Sequence, residues 1–342
     1  MRACLLRPFS ALRSGQWTRG GGKWACAFAL VLCIASPCRG QDDLIEQADA
    51  ALTNGDYNKA ITKYDELIRR YPKLAPAYLN RGLAYQRKGD YDKAIANYNE
   101  VIRLEPEYAN AYHNRGNAFQ LKGDLTAALA DYDKAIQLDP RVANAYGDRG
   151  NLYREKGKLS EAIRDYDEAI RLDAQNPNAY YARAYAYREK GDYDKAITDL
   201  DKAIQLNPTL GPAHYLRALI YEAKGEYEKA IAGYKQVIQL DAKYANAYNG
   251  LAWLLSTSPD DRVRDGKKAV EYANKACTLS EWKDPNMVDT LAAACAESGD
   301  YQQAIKWATQ YLATPNLIEK EIPGARSRLA LYQAHKPYHR DK

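Results

Sequence analysis

The sequence is short of several residue types, and each shortage excludes something. It has three Phe, two Met and four His in 342 residues. His335 and His339 are four apart, but Pro337 between them breaks the helix that a pair of metal ligands would need, so they read as part of a solvated, basic tail. Beyond residue 40 only Cys277 and Cys295 occur. Two such residues make no disulfide framework and read as small buried hydrophobes. Acidic residues are missing before Asp42, while Arg2, Arg7, Arg13, Arg19, Lys23 and Arg39 lie in that stretch. Residues 41–342 then hold 43 positive and 44 negative side chains, a net of −1. The sequence pI near 8.6 therefore comes from the leader and is not a nucleic-acid signature. There is no Gly-rich phosphate loop, clustered metal-ligand motif or nucleophile elbow. Enzymatic chemistry, a metal, a cofactor and a small-molecule substrate are accordingly not expected.

The leader has its own order: a basic segment, the apolar run Trp24 to Ala35, then Pro37, Cys38, Arg39 and Gly40. The run falls short of the ~20 residues that span a bilayer as a helix. Residues 1–40 thus read as a secretory signal cut before Gln41, with an uncleaved signal anchor as the less favoured alternative. Acylation at Cys38 is disfavoured by Pro37, which constrains the backbone a peptidase must bind. An exported chain, periplasmic or extracellular, is the expectation.

What is abundant is tyrosine, 29 residues of it, and it recurs with a period of 34. Units begin at Gln41, Ala75, Ala109, Ala143, Pro177 and Gly211. Position 15 of each is Gly55, Gly89, Gly123, Gly157, Gly191 and Gly225. Position 20 is Ala60, Ala94, Ala128, Ala162, Ala196 and Ala230, and position 24 is Tyr in all but the fifth, which has Leu200. Position 8 is always Gly or Ala. The spacings 4, 8, 11 and 20, 24, 27 are both helical. A Gly-Asp step between them, as at Gly55-Asp56, supplies a helix stop and the next N-cap. Each unit is therefore a helical hairpin in which small residues at 8 and 20 let two backbones approach, with Tyr at 4, 11 and 24 filling the space beside them. One hairpin cannot bury its apolar face alone, so neighbours stack. Two irregular units follow, 245–284 with extra length at Ser256 to Gly266, and 285–315. An amphipathic stretch from Ala325 to His335 then caps the array, within residues 316–342.

These positions resemble the tetratricopeptide repeat (TPR): an aromatic at 4, Gly or Ala at 8, Tyr at 11, Ala at 20, an aromatic at 24 and Pro at 32. The resemblance covers residues 41 to about 315 in units near 41–74, 75–108, 109–142, 143–176, 177–210, 211–244, 245–284 and 285–315. The last two also look like the terminal units of many bacterial proteins of this type. The resemblance implies an all-α, right-handed superhelical solenoid of about eight hairpins with a C-terminal capping helix. It further implies that positions 2, 5, 6, 9, 12 and 13 line the concave face. That face would present Asn80, Asn110, His113, Asn114, Asn117, Asn144, Asp148 and Asn151, then Asn178, Tyr181, Tyr185 and Tyr215. Asn has a donor and an acceptor and can pair with the backbone of an extended peptide. Asn110, Asn144 and Asn178 also suit a plain capping role near a helix start.

Position 7 carries Arg81, Arg115, Arg149, Arg183 and Arg217 where the family usually has Leu. They could clamp acidic peptides. The favoured reading pairs Arg115, Arg149 and Arg183 with Asp131, Asp165 and Asp199 at position 23, since unpaired charges are rarely buried. The cations of the family's clamp for peptide C-termini are absent, with His113, Asn117, Asn178 and Ala182 at the matching places. A likeness to the repeats of O-linked N-acetylglucosamine transferases stops where a transferase domain would begin. The expectation is a non-enzymatic scaffold that grips another protein or an extended peptide, with no nucleic acid and no membrane contact except through an uncleaved leader. The alternatives are a self-assembling structural solenoid, or an accessory subunit of a separate enzyme with the inserted loop (Pro259, Asp260, Asp261, Arg262) as its contact, although a plain linker is the favoured reading of that loop.

Overall fold

The computed structural model describes residues 37–315 and 317–341, all of whose regular elements are helical. The leader's expected signal, residues 1–36, lies outside the described residues. Eight hairpins follow one another: α1 (Pro37–Thr53) with α2 (Tyr57–Arg70), α3 (Ala75–Arg87) with α4 (Tyr91–Leu104), α5 (Ala109–Lys122) with α6 (Leu125–Leu138), and α7 (Ala143–Glu155) with α8 (Leu159–Leu172). Then come α9 (Pro177–Lys190) with α10 (Tyr193–Leu206), α11 (Gly211–Ala223) with α12 (Tyr227–Leu240), α13 (Ala245–Thr257) with α14 (Gly266–Leu279), and α15 (Pro285–Glu297) with α16 (Tyr301–Leu312). A 3-10 turn, Glu319–Glu321, leads into α17 (Ile322–Gln333), which starts three residues before the stretch expected to cap the array.

The turn chemistry explains the hairpins. Gly123 has φ 92°, a left-handed conformation that ends α5, and Asp124 then caps α6 by accepting from the Ala127 N–H at 3.0 Å. Asp56 and Asp90 do the same for α2 and α4. Between the helices of a hairpin, every position-20 alanine is fully buried. A Cβ on Gly82, Gly116 or Gly150 would stand 2.7 Å from a ring carbon of Tyr98, Tyr132 or Tyr166. Position 8 is small because the position-24 ring occupies the place of its side chain.

Successive first helices also touch, α1 with α3, α3 with α5, α7 with α9, α9 with α11, α11 with α13 and α13 with α15. No two second helices are in comparable contact among the described residues. The first helices therefore lie on the inside of the curve. The array changes character along its length. One apolar cluster runs from Ala218 to Tyr332, whereas the earlier units hold separate smaller clusters. At the C-terminal end α17 packs on α16 and buries Ala325 and Tyr332.

Two expectations gain detail. The 256–266 insertion is anchored at its start, where Ser256, Thr257 and Ser258 are fully buried, while Asp261 and Arg262 stay exposed. Arg264 ties it down through Glu297 at 3.0 Å and the Ser258 carbonyl at 2.8 Å. The C-terminal tail is exposed at His335, Lys336 and His339, as expected, but it also makes contacts with the array. His335 stacks on Tyr301 at 5.1 Å, and His339 Nε2 meets Glu297 at 2.7 Å. Its sequence predicts a polar, Pro-interrupted end, but the acids and rings that receive it lie far back in the chain.

Candidate functional site, the inner face of the array

The position-7 arginines form a seam between units. Arg115 donates through Nε and Nη2 to both carboxylate oxygens of Asp131, each at 2.7 Å, and through Nη1 to Asn99 at 2.6 Å. Arg149 repeats this with Asp165 at 2.7–2.8 Å and Asp133 at 2.7 Å. Arg183 does so with Asp199 at 2.6–2.7 Å and Asp167 at 2.6 Å. Arg81 joins Asn97 and Asp65 in the same sense, and Arg217 pairs with Asp201. Each guanidinium thus binds position 23 of its own unit, position 25 of the preceding one, or both. The arginine side chains are only 18–21 % exposed in the three central units, and their position-23 partners 7–8 %. Hydrogen bonds donated to Asp131 and Asp165 hold Arg115 and Arg149 still more firmly charged, against the pull of burial.

The rings at positions 4 and 11 flank these cations. Arg115 lies 5.5 Å from Tyr112 and 5.9 Å from Phe119, Arg149 lies 5.6 Å from Tyr146 and 5.8 Å from Tyr153, and Arg183 repeats the arrangement with Tyr180 and Tyr187. The tyrosines at 4 and 24 have separate duties. Tyr78 and Tyr112 donate their hydroxyls to the carbonyls of Pro72 and Pro106 in the preceding linker, at 3.1 and 3.0 Å. In the sixth unit His214 Nε2 takes over that bond, to Pro208 O at 3.0 Å. The arginines are therefore committed inside the fold and do not form a clamp for a ligand's acids.

On the inner face itself, the named residues fall into three groups. Asn110, Asn144 and Asn178 are exposed in the first turns of α5, α7 and α9, and Asn114 is half-buried. Asn117 and Asn151 accept the hydroxyls of Tyr132 and Tyr166 at 2.6 and 2.8 Å. Their carbonyl oxygens are thereby engaged; the Asn117 amide nitrogen also lies 3.4 Å from His113 Nε2, so the Asn151 amide nitrogen is the one left to a ligand. Asn80 donates to Asp49 of the first unit at 3.1 Å. His113 is a correction: at 9 % exposure it is buried, with Nε2 held by Asp148 at 2.8 Å, and it links two units where a groove ligand was expected. The periodicity places it on the inner face, but it cannot show that an acid one unit later closes over it.

The third group is aromatic. Tyr181 and Tyr185 meet edge-on at 6.4 Å between ring centres, and Tyr215 lies 5.4 Å from Tyr244. Arg154 and Arg188 reach over Tyr185 at 4.7 and 5.8 Å. Burial pushes the Tyr215 phenol up to about 12. The face offers amide donors, ring faces and two guanidiniums, which suit binding. No group of three or more His, Cys, Asp or Glu among the described residues could hold a metal. No described helix is long and apolar enough to cross a membrane.

Sequence reasoning missed the position-25 partners Asp65, Asn99, Asp133, Asp167 and Asp201, although they too recur every 34 residues. Counting two residues beyond position 23 finds them.

Comparisons with known proteins give one family. A sequence model described as TPR repeat matches residues 48–89, 87–123, 150–188 and 219–255. Two described as tetratricopeptide repeat match 109–142 and 177–210, and 131–164 and 200–232. Together they run unbroken from 48 to 255. Among solved structures the chain is similar to the Cut9–Hcn1 hetero-tetramer of APC/C, with a TM-score of 0.59 and 18 % identity over 72 % of this chain and 48 % of that one. It is also similar to the C-terminal part of a TPR repeat-containing protein from Cytophaga hutchinsonii, with a TM-score of 0.55 and 21 % identity over 71 % and 98 %. PilF of Pseudomonas aeruginosa gives a TM-score of 0.55 and 20 % identity over 62 % and 94 %. At these identities the likeness is one of fold. No curated protein matches the chain in sequence.

Proposed function

Because the chain belongs to the tetratricopeptide repeat family, we propose that it is a non-enzymatic scaffold that holds an extended segment of another protein against its inner face, in the cell envelope or outside the cytoplasm. The observation that carries this reading is the division of labour along the first helices. The arginines, and the carbonyl oxygens of Asn117 and Asn151, are used within the fold. The exposed amides of Asn110, Asn144 and Asn178, and the rings around Tyr185, are what a partner would meet. Amides at intervals of one unit suit the backbone of an extended peptide, and rings suit its side chains. The exported location rests on the leader's residue order alone. End-to-end self-assembly is the weaker reading, because α17 covers the last hairpin.

The test is capture of partners by the purified chain and by Asn110→Ala/Asn144→Ala/Asn178→Ala, which removes amides without touching an internal side-chain bond. Loss of the captured protein is expected. Unchanged recovery would remove the groove from the account. Fractionation with N-terminal sequencing tests the location, and a cytoplasmic chain that keeps its leader would refute it.

A further inference from the structure

The last residues of the chain lie in the array as a ligand would. Helix α17 ends at Gln333; His335, just beyond it, adopts a left-handed φ of 55°, and the Lys336 N–H closes the end on the Leu331 carbonyl at 2.9 Å. Pro337 cannot continue the helix, so the chain leaves it extended. Tyr338 then stands 6.2 Å from Trp253, with the Arg328 guanidinium 5.7 Å from one ring and 5.8 Å from the other. His339 meets Glu297. The Arg340 N–H donates to Thr257 O at 2.9 Å, and its Nη1 donates to Glu222 Oε1 at 2.7 Å, 118 residues away.

The receiving residues identify the surface. Glu222, Trp253 and Glu297 sit at positions 12, 9 and 13 of the first helices α11, α13 and α15, on the inner face of three consecutive units. The segment therefore spans three units, with Tyr338 on the seventh, His339 on the eighth, and Arg340 on the seventh and sixth. It uses one backbone bond, one ring and two basic groups against two acids, the means by which an extended peptide is held in a groove. Its fit is incomplete. Arg340 Nε and Nη2 are buried with no hydrogen-bond partner, and an unmet buried donor weakens the complex it belongs to.

We propose that the inner face of units six to eight is a site for an extended segment carrying an aromatic residue two places before an arginine, and that Pro337–Asp341 is its resident, displaceable occupant. The partner it fits is a basic, aromatic peptide that meets Glu222 and Glu297 and satisfies the arginine better than the tail does. The tail is tethered only a few residues from α17, so it competes at a high effective concentration and sets a threshold for entry. This rests on the inner face being a peptide groove but needs no foreign protein. The two readings fail separately, because the asparagine test concerns α5 to α9 and this one α11 to α15.

The experiment uses a fluorescein-labelled peptide with the sequence of residues 334–342, read by fluorescence anisotropy. The full chain is compared with its Tyr338→Ser/Arg340→Ser variant, whose own tail can no longer compete. The variant is expected to bind the peptide at least about tenfold more tightly than the wild type. Adding Glu222→Gln/Glu297→Gln should abolish that gain. Arg340→Ala alone keeps Tyr338 against Trp253 and should give an intermediate gain, which covers the case of a misfolded double variant. Equal binding to wild type and variants, or no binding to any variant that keeps the wild-type melting profile, would overturn the proposal and leave the tail as a fixed part of the cap.

Discussion

Gly150 and Gly147 lie one turn apart in α7, and alanine is expected to have opposite effects at the two. In a helix interior Gly→Ala ordinarily stabilises by about 0.5–1 kcal/mol, because glycine has more backbone freedom to lose. At Gly147 a Cβ meets nothing within 4 Å, so that gain should appear in full. At Gly150 the Cβ would lie 2.7, 3.0 and 3.2 Å from Cε1, Cδ1 and Cζ of Tyr166. Carbon atoms prefer about 3.5–4.0 Å, so the ring must retreat by nearly an ångström. It cannot do so freely, being fully buried with its hydroxyl held by Asn151 at 2.8 Å. Overpacking of this kind costs about 1–3 kcal/mol, which leaves Gly150→Ala destabilising by roughly 0.5–2 kcal/mol net. The chain holds its own control in the fifth unit, where Ala184 occurs with Leu200, a smaller partner than Tyr. Tyr166→Leu should therefore rescue Gly150→Ala, with a coupling of about 0.5–3 kcal/mol in the double-mutant cycle. Two other units combine alanine with tyrosine. In the sixth, Ala218 sits where a Cβ on Gly233 would come within 2.8 Å, so glycine makes the room. In the first, Ala48 lies in α1, the first helix among the described residues. Urea unfolding followed by circular dichroism gives the free energies, with amide exchange in α7 and α8 to confirm that the change is local, since a long array need not unfold in one step. Equal stability of Gly150→Ala and Gly147→Ala would refute the packing argument.

Three further outcomes are expected. Asp165→Ala leaves a mostly buried Arg149 short of its bidentate partner and should cost about 2–3 kcal/mol, whereas Asp133→Ala removes a carboxylate that is 52 % exposed and should cost less than about 1 kcal/mol; equal midpoint shifts in urea would contradict the assignment of the seam. Burial pushes the Tyr166 phenol from 10 up to about 12, and Tyr64, Tyr98, Tyr132 and Tyr234 higher still. The fold thus favours neutral phenols, so this part of its stability is intact below pH 10 and is lost as pH rises from 10 through 12; a phenolate absorbance titration in which all tyrosines ionise together near 10, before unfolding, would count against it. Burial raises the thiols of Cys277 and Cys295 to about 11 and about 12, so in the chain without residues 1–40 neither should react with a thiol reagent at neutral pH until denaturant is added; rapid reaction of the native chain would mean that α14 and α15 pack otherwise.

The hairpins were legible because their determinants are local and repeated. The Gly-Asp step marks a stop and a start, and the small residues at 8 and 20 mark where two helices touch. The pairing of position 7 with position 23 could be read within one unit. What crosses units was harder, as with Asp133 reaching Arg149 or Asp148 closing on His113, since each needs the stacking geometry as well as the period. The tail was illegible for a plainer reason. Arg340 and Glu222 are 118 residues apart, and Pro337 and His339 are residues that any solvated end could carry. Nothing in their spacing shows the surface that receives them.

Two kinds of joint make two kinds of spring. From the first unit to the sixth, neighbours are bolted by an arginine at position 7, from Arg81 to Arg217. In the seventh and eighth that place is taken by the buried Leu251 and Leu291 within one continuous apolar block. Directional bonds let go over a fraction of an ångström, while an oily contact gives way gradually as it is peeled. A molecule loaded along its length would therefore be stiff and brittle through its first two thirds and yielding at its far end.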